Sequence, residues 1–213
     1  MRLYSFFRSS ASHRVRIALA LKDLPYTLQP VPLALHGGAQ QAPDYAAVNT
    51  QQLVPALVDG DVTLTQSLAI FDHLDRRQPA PPLFPEDVAG RARVWSLCLF
   101  VACEIQPLQN LRVERYLDQT LHLDAAARTA FKRHFQDAGF DVVEQMLQDG
   151  HTGEFGHGDA PGAVDCMLVP QAAAVLRTGG TLDAWPTIAR VVAACNAHPA
   201  FVAAAPENQP DRW

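Results

Sequence analysis

The chain has 213 residues, a net charge of −5, 48% apolar residues and only 18% charged ones. That balance describes an ordinary globule, long enough for one large domain or two small ones with proper cores. It argues against a nucleic-acid binder, since no Lys/Arg-rich run offsets the negative charge, and no apolar run approaches the ~20 residues of a membrane helix.

The start, Met1-Arg2-Leu3-Tyr4, lacks the apolar core and cleavage site of a signal peptide. Cys98, Cys103, Cys166 and Cys195 show neither paired ligand spacing nor a disulfide framework. They read as free thiols in a reducing compartment, which places the chain in the cytoplasm. His151 and His157 share the Gly-rich loop Asp149–Gly158, but a metal site would want further ligands close by, so none is expected.

In chain order, Leu3–Phe7 reads as a short strand, followed by a helix that opens on Ser9-Ser10-Ala11-Ser12 and runs to Lys22. Tyr26–Val31 is a second strand candidate. A Gly/Gln/Pro-rich loop from His36 to Pro43 leads to a short polar helix near Asp44–Ala47. Pro55–Asp59 and Val62–Leu64 flank Gly60-Asp61 and read as a hairpin. From Gln66 to Leu74 the spacing is helical, with Leu68, Phe71 (or Ile70) and Leu74 on one face. This order fits a small mixed sheet with helices packed on it.

Residues 79–87 form a Pro-rich, semi-rigid linker between a first domain over 1–78 and a second over 88–213. Beyond it no convincing strand appears. Val94, Leu97, Val101, Ile105, Leu108 and Leu111 make the seam of a long helix over about 88–118, which Pro107 should kink. Further helices fit Asp124–Asp149, Val164–Arg177 and Trp185–Asn196, so the second domain is all helical.

Three features of the first domain carry chemistry. The Ser-rich helix start combines free N–H groups, the positive end of a helix dipole and spare hydroxyls, which together suit an anion such as a thiolate. Leu53-Val54-Pro55 precedes the hairpin. A Pro there can be cis, with the Val54 N–H and C=O open to a peptide-like ligand. Gln66-Ser67 opens the next helix and makes a carboxylate seat. Each is also compatible with simple capping.

Arg8-Ser9-Ser10-x-Ser12-x-Arg14-Val15-Arg16-Ile17-Ala18-Leu19-Ala20-Leu21-Lys22, Val54-Pro55, Gln66–Ile70 and Ile105-Gln106-Pro107-Leu108-Gln109-Asn110-Leu111 together resemble the zeta class of glutathione transferases. That class includes maleylacetoacetate and maleylpyruvate isomerases, and the similarity runs from Leu3 to about Pro210. The resemblance implies an α/β thioredoxin-like N-terminal domain, an all-α C-terminal domain, a homodimer, and glutathione as cofactor. It puts the γ-glutamyl carboxylate on Gln66 and Ser67, the cysteinyl backbone on Val54 ahead of Pro55, and the thiol beside Ser9, Ser10, Ala11 and Ser12. Gln40 matches a family Gln near the glycine end, with Gln41 adjacent. Gln106 and Asn110, four apart on one face of an ideal helix, would reach over from the second domain together with Arg112.

Two departures stand out. Ala11 occupies a position where the family usually has Cys, so any sulfur chemistry must come from glutathione. Gly162-Ala163-Val164-Asp165 replaces a Ser/Thr-x-x-Asp capping box, with Asp165 read as structural. The implied reaction adds the thiolate of glutathione to a cis double bond conjugated to a carbonyl, allows rotation in an enolate-like intermediate, and releases glutathione unchanged.

A diacid substrate and its enolate charge need a cationic seat, for which Arg8, Arg112 and Arg177 are the candidates; Arg14 and Arg16 read as structural or surface residues. Arg112 points away from Asn110 on an ideal helix and needs the Pro107 kink. Three arginines favour a compact substrate such as maleylpyruvate over maleylacetoacetate. The other readings are a zeta-like transferase that conjugates or dehalogenates small haloacids, and a non-catalytic binding protein of the same fold. Intact Ser9, Ser10, Pro55, Gln66 and Ser67 count against the last.

Overall fold

The computed structural model describes residues 1–33 and 37–212, so the expected loop start at His36 lies outside it. Packing divides the chain into two units, Met1–Leu83 with Ala197–Trp213, and Phe84–Asn196. The tail, expected in the second domain, packs with the first unit. Its last helix lies along the first helix of the chain, where Arg16 Nε donates to the Ala204 carbonyl at 3.0 Å.

The first unit is built on a sheet ordered β2-β1-β3-β4. Strand β1 (Arg2–Ser5) leads into α1 (Ser10–Leu21) and returns as β2 (Thr27–Pro30), parallel to β1. After α2 (Pro43–Val48) come β3 (Ala56–Asp59) and β4 (Val62–Thr65), an antiparallel hairpin, and then α3 (Ser67–Arg77). The strand expected over Leu3–Phe7 stops at Ser5. Phe6 and Phe7 belong to the turn into α1, because Ser9 N–H folds back onto the Phe6 carbonyl at 3.0 Å. A 3-10 turn over Ala39–Gln41 and α9 (Pro199–Ala204) escaped the periodicity, both too short to show it.

Register decides what this sheet positions. Tyr4 of β1 pairs with Gln29 of β2 and with Ala56 of β3, and Ala56 pairs with Thr65 of β4. The chain therefore leaves β1, β2 and β4, and enters β3, along one edge of the unit.

Helix α1 is a core element, with every residue from Ser12 to Leu19 buried. Arg14 and Arg16 are 2% and 1% exposed, which corrects the surface alternative for both. Lys22 closes the helix, and Asp23 at φ 50° ends it in the left-handed region. The buried Lys22 ammonium donates to Asp75 Oδ1 and to the carbonyls of Gln78 and Pro81, each at 2.6 Å. That grip fastens the Pro-rich segment to the first unit.

In the second unit the single long helix expected over 88–118 is four segments. α4 (Val88–Phe100) passes into a π turn over Val101–Ile105 and a 3-10 turn over Gln106–Gln109, and α5 (Leu111–Gln119) starts afresh. Pro107 has no N–H to continue the ladder, so the chain widens before it and tightens after it. The Gln106 N–H reaches back five residues to the Val101 carbonyl. Gly139 on α6 (Ala125–Leu147) admits Ile105 against its backbone; a Cβ there would stand 2.5 Å from the Ile105 side chain.

α7 (Ala163–Arg177) starts at Gly162, and α8 (Pro186–Ala197) completes the core. Asp165 takes the structural role expected of it. Its Oδ2 accepts from Gly162 N–H and its Oδ1 from Gly156 N–H, both at 2.8 Å, so half of a capping box survives without a side chain at the cap.

Burial pushes the Asp165 carboxyl up from an ordinary 3.8 to about 6, against the lowering effect of those N–H donors. A raised folded-state value means the folded chain binds the proton more tightly, so this contribution is full below about pH 4 and is lost as pH rises through about 6. The unfolding free energy of wild type minus that of Asp165→Asn should fall by about 3 kcal/mol across that window and stay flat above it. Denaturant titrations at stepped pH measure the difference, and a pH-independent gap contradicts the assignment.

Candidate active site

Three chain segments meet where β1 and β4 exit and β3 enters. The first is the start of α1. Ser9 is its N-cap, with φ −68° and ψ 119°, and its Oγ accepts from Ser12 N–H at 3.2 Å. A hydroxyl that accepts in this way keeps its own O–H to donate. Ser10, the first helical residue, is half-buried, and the Ala11 N–H has no hydrogen bond among the described residues. Ser12 departs from the expectation. It is 0% exposed, and its Oγ accepts from Phe6 N–H at 3.5 Å, so it braces the turn rather than lining a ligand site. Arg8 is exposed on that turn.

The second segment precedes β3, where the Val54-Pro55 bond is cis. Tyr45 Oη and Asn49 Nδ2 both donate to the Leu53 carbonyl, at 2.6 and 2.7 Å. Burial pushes the Tyr45 phenol up to about 12, which keeps it a neutral donor. The next residue, Val54, has no bond to either its N–H or its C=O among the described residues, and the β3 ladder starts only at Ala56. An extended peptide could pair there as an added strand would. Gln40 lies 5% exposed beyond the exit of β2, folded against Gly38, with its Oε1 buried and without a partner. A buried acceptor of that kind calls for a donor. The adjacent Gln41 is exposed.

The third segment opens α3. Gln66 sits at φ 68° and ψ 120°, a conformation unfavourable for a residue with a Cβ, and its Nε2 donates to Gln51 Oε1 at 3.0 Å. Ser67 is the first helical residue and buried. Arg14, from α1, donates through Nη1 to Ser67 Oγ at 3.5 Å. A buried guanidinium thus stands behind a helix N-terminus, so charge and dipole both favour an anion at Ser67. The sequence reading missed Arg14; an Arg inside an otherwise apolar helix face was the available signal.

In the second unit the expectation of Gln106 and Asn110 on one helix face fails, because the helix is broken between them. Gln106 begins the 3-10 turn and is half-buried. Asn110 caps α5, its Oδ1 accepting from Arg112 and Val113 N–H at 3.0 and 3.1 Å. Arg112 is exposed in the first turn of α5, and Arg177 is exposed at the end of α7.

The second unit also holds a chain of amides that the sequence did not reveal. Thr178 Oγ1 donates to Gln136 Oε1 at 2.7 Å, Gln136 Nε2 to Gln109 Oε1, and Gln109 Nε2 to Gln171 Oε1 at 2.7 Å. It ties the Gln106–Gln109 turn to α6 and α7. The buried thiols are not nucleophiles: burial pushes Cys166 and Cys195 well above the ordinary thiol range. Among the described residues no group of three His, Cys, Asp or Glu side chains could hold a metal ion.

Residues 1–76 match the family model for the glutathione S-transferase N-terminal domain. The chain is 45% identical over 212 residues to the maleylacetoacetate isomerase of Pseudomonas aeruginosa, covering 99% of this chain and 98% of that one. A holo structure of a maleylpyruvate isomerase, a bacterial glutathione S-transferase of the zeta class, is 42% identical with a TM-score of 0.96, covering all of both chains. The maleylacetoacetate isomerase of Methylobacterium extorquens, solved with malonate and GSH bound, is 38% identical with a TM-score of 0.94, covering 99% of this chain and 98% of that one.

Because Gln66 holds a strained backbone, Gln66→Gly should raise the unfolding free energy by about 1 kcal/mol. Equilibrium denaturation checks this, and a loss of stability would show that the backbone there is relaxed.

Proposed function

The chain belongs to the zeta class of the glutathione S-transferases, and from that premise we propose that it converts a small unsaturated keto diacid from cis to trans with glutathione as cofactor. The substrate is maleylpyruvate, giving fumarylpyruvate, or maleylacetoacetate, giving fumarylacetoacetate. One observation carries the reading. A single edge of the first unit offers open backbone at Val54, a cation-backed helix start at Ser67 and a hydroxyl-bearing helix start at Ser9-Ser10.

Those groups fit a γ-glutamyl tripeptide. The Ser67 helix start and Arg14 would take its α-carboxylate, with Gln66 at its side. The Val54 N–H and C=O would pair with its central peptide, and the orphaned Gln40 amide oxygen lies in the segment assigned to its glycine end. When bound, glutathione supplies the thiolate that adds reversibly to the double bond and thereby permits rotation.

The chain's own part is to hold that sulfur as an anion. Ser9 Oγ accepts from Ser12 N–H and so keeps its own O–H to donate; Ser10 and the Ala11 N–H stand at the same positive helix end. Ala11 offers no competing thiol, and the buried cysteines stay protonated. Arg8, Arg112 and Arg177 are proposed to grip the two carboxylates and the developing enolate charge, with Gln106, Asn110 and Arg112 as further contacts to the bound molecules. Malonate, itself a small diacid, in the Methylobacterium relative supports that grip. Free cysteines suit a cytoplasmic enzyme, and a homodimer is the assembly proposed from the family.

Loss of maleylpyruvate or maleylacetoacetate absorbance, followed with and without glutathione, tests this. Turnover should require glutathione without consuming it, and turnover in its absence would sink the thiolate mechanism. Ser9→Ala and Ser10→Ala should each cut kcat by about 10²-fold, the scale for one lost oxyanion donor. Replacing Arg8, Arg112 or Arg177 by Ala should raise KM for the diacid about tenfold while sparing glutathione binding, since a charged hydrogen bond is lost.

A further inference from the structure

The turn that carries Arg8, Ser9 and Ser10 is held from the far end of the chain. Phe7 N–H donates to Asp211 Oδ2 at 3.0 Å, and the Phe7 carbonyl accepts from Arg16 Nη2 at 3.0 Å. Both backbone groups of the residue before Arg8 are thus fixed, one by an anion and one by a cation. Arg16 also donates to Ser5 Oγ at 3.2 Å and to the Ala204 carbonyl at 3.0 Å, which joins the end of β1 to the tail. The second oxygen of Asp211 is buried and accepts no hydrogen bond, so this carboxylate is withdrawn from water toward the turn. Burial lowers Arg16 to about 10, with Tyr26 and Asp211 raising it against that, so the guanidinium remains charged at neutral pH.

From Phe7 the constraint passes directly to the serines. Ser9 N–H bonds the Phe6 carbonyl, Phe6 N–H bonds Ser12 Oγ, and Ser12 N–H bonds Ser9 Oγ, which closes one small ring of contacts. We propose that Asp211 is a positioning residue for the thiol site: with Arg16 it clamps the Phe7 peptide and so sets where Ser9 and Ser10 stand. This rests on the reading of those serines as donors to the bound thiol.

The test uses the full chain as Asp211→Ala and Asp211→Asn. Asn keeps a carbonyl oxygen for the Phe7 N–H, whereas Ala does not. Two measurements are made: amide hydrogen exchange at Phe7 and Ser9, and the pKa of the thiol of bound glutathione from its ultraviolet absorbance. Asp211→Ala should speed exchange at both amides about tenfold, as loss of one charged hydrogen bond allows, with amides of α6 unchanged. It should also raise the bound thiol pKa by about one unit, and Asp211→Asn should restore most of the protection.

Unchanged exchange in Asp211→Ala overturns the clamp. Faster exchange with an unmoved thiol, where Ser9→Ala does move it, overturns the positioning role. If Ser9→Ala leaves the thiol unmoved as well, the reading of the serines fails, and exchange alone decides whether Asp211 sets the turn.

Discussion

The backbone ladder along β1 is the constraint on which the first unit depends. Tyr4 is shared between Gln29 and Ala56, and Ala56 between Tyr4 and Thr65, so one row of residues crosses the whole sheet. A slip of one position in the hairpin would turn its buried residues outward and carry the entry of β3 away from the exit of β1. The separation in sequence of Ser9, Val54 and Ser67 is thereby cancelled by register. Their chemistry needs no long loops to bring it together, because short turns leave the same sheet edge.

Helix α1 makes that edge polar from beneath. It carries Arg14, Arg16 and Lys22 into the interior; Arg16 and Lys22 are each given several oxygen acceptors, and Arg14 reaches Ser67 Oγ through Nη1. Buried cations are costly unless so satisfied, and their exact partners make the arrangement hard to replace by apolar packing without loosening the segments they hold. Arg14 serves the start of α3, Arg16 the turn before the serines, and Lys22 the Pro-rich segment. One helix therefore orders three separate stretches of chain while offering its own N-terminus to a ligand.

Much of this was legible in the residues. The serine cap, the Gly60 hairpin and the apolar face of α3 rest on local rules that tertiary packing did not override; the small mixed sheet followed from their order, and its thioredoxin-like form from the family resemblance. What was not legible depended on contacts remote in sequence. A periodic seam over 88–118 suggested one kinked helix, whereas Pro107 is accommodated by a π turn and a 3-10 turn that exchange hydrogen-bond partners without disturbing the seam. Ser12 looks like its neighbours until its burial against Phe6 is seen. Arg14 and Arg16 could be read only as structural or surface residues, because nothing nearby in sequence shows that Ser67 and Ala204 come to meet them.

The return of the tail to the first unit has a consequence for the order in which the protein comes into being. Chains are made from the N-terminus, and domains commonly fold as they emerge. Here Phe7, early in the chain, finds its partner in Asp211, 204 positions further along. The sheet and α1 can form early, but the turn bearing the serines acquires this restraint only once the segment that carries Asp211 has been made.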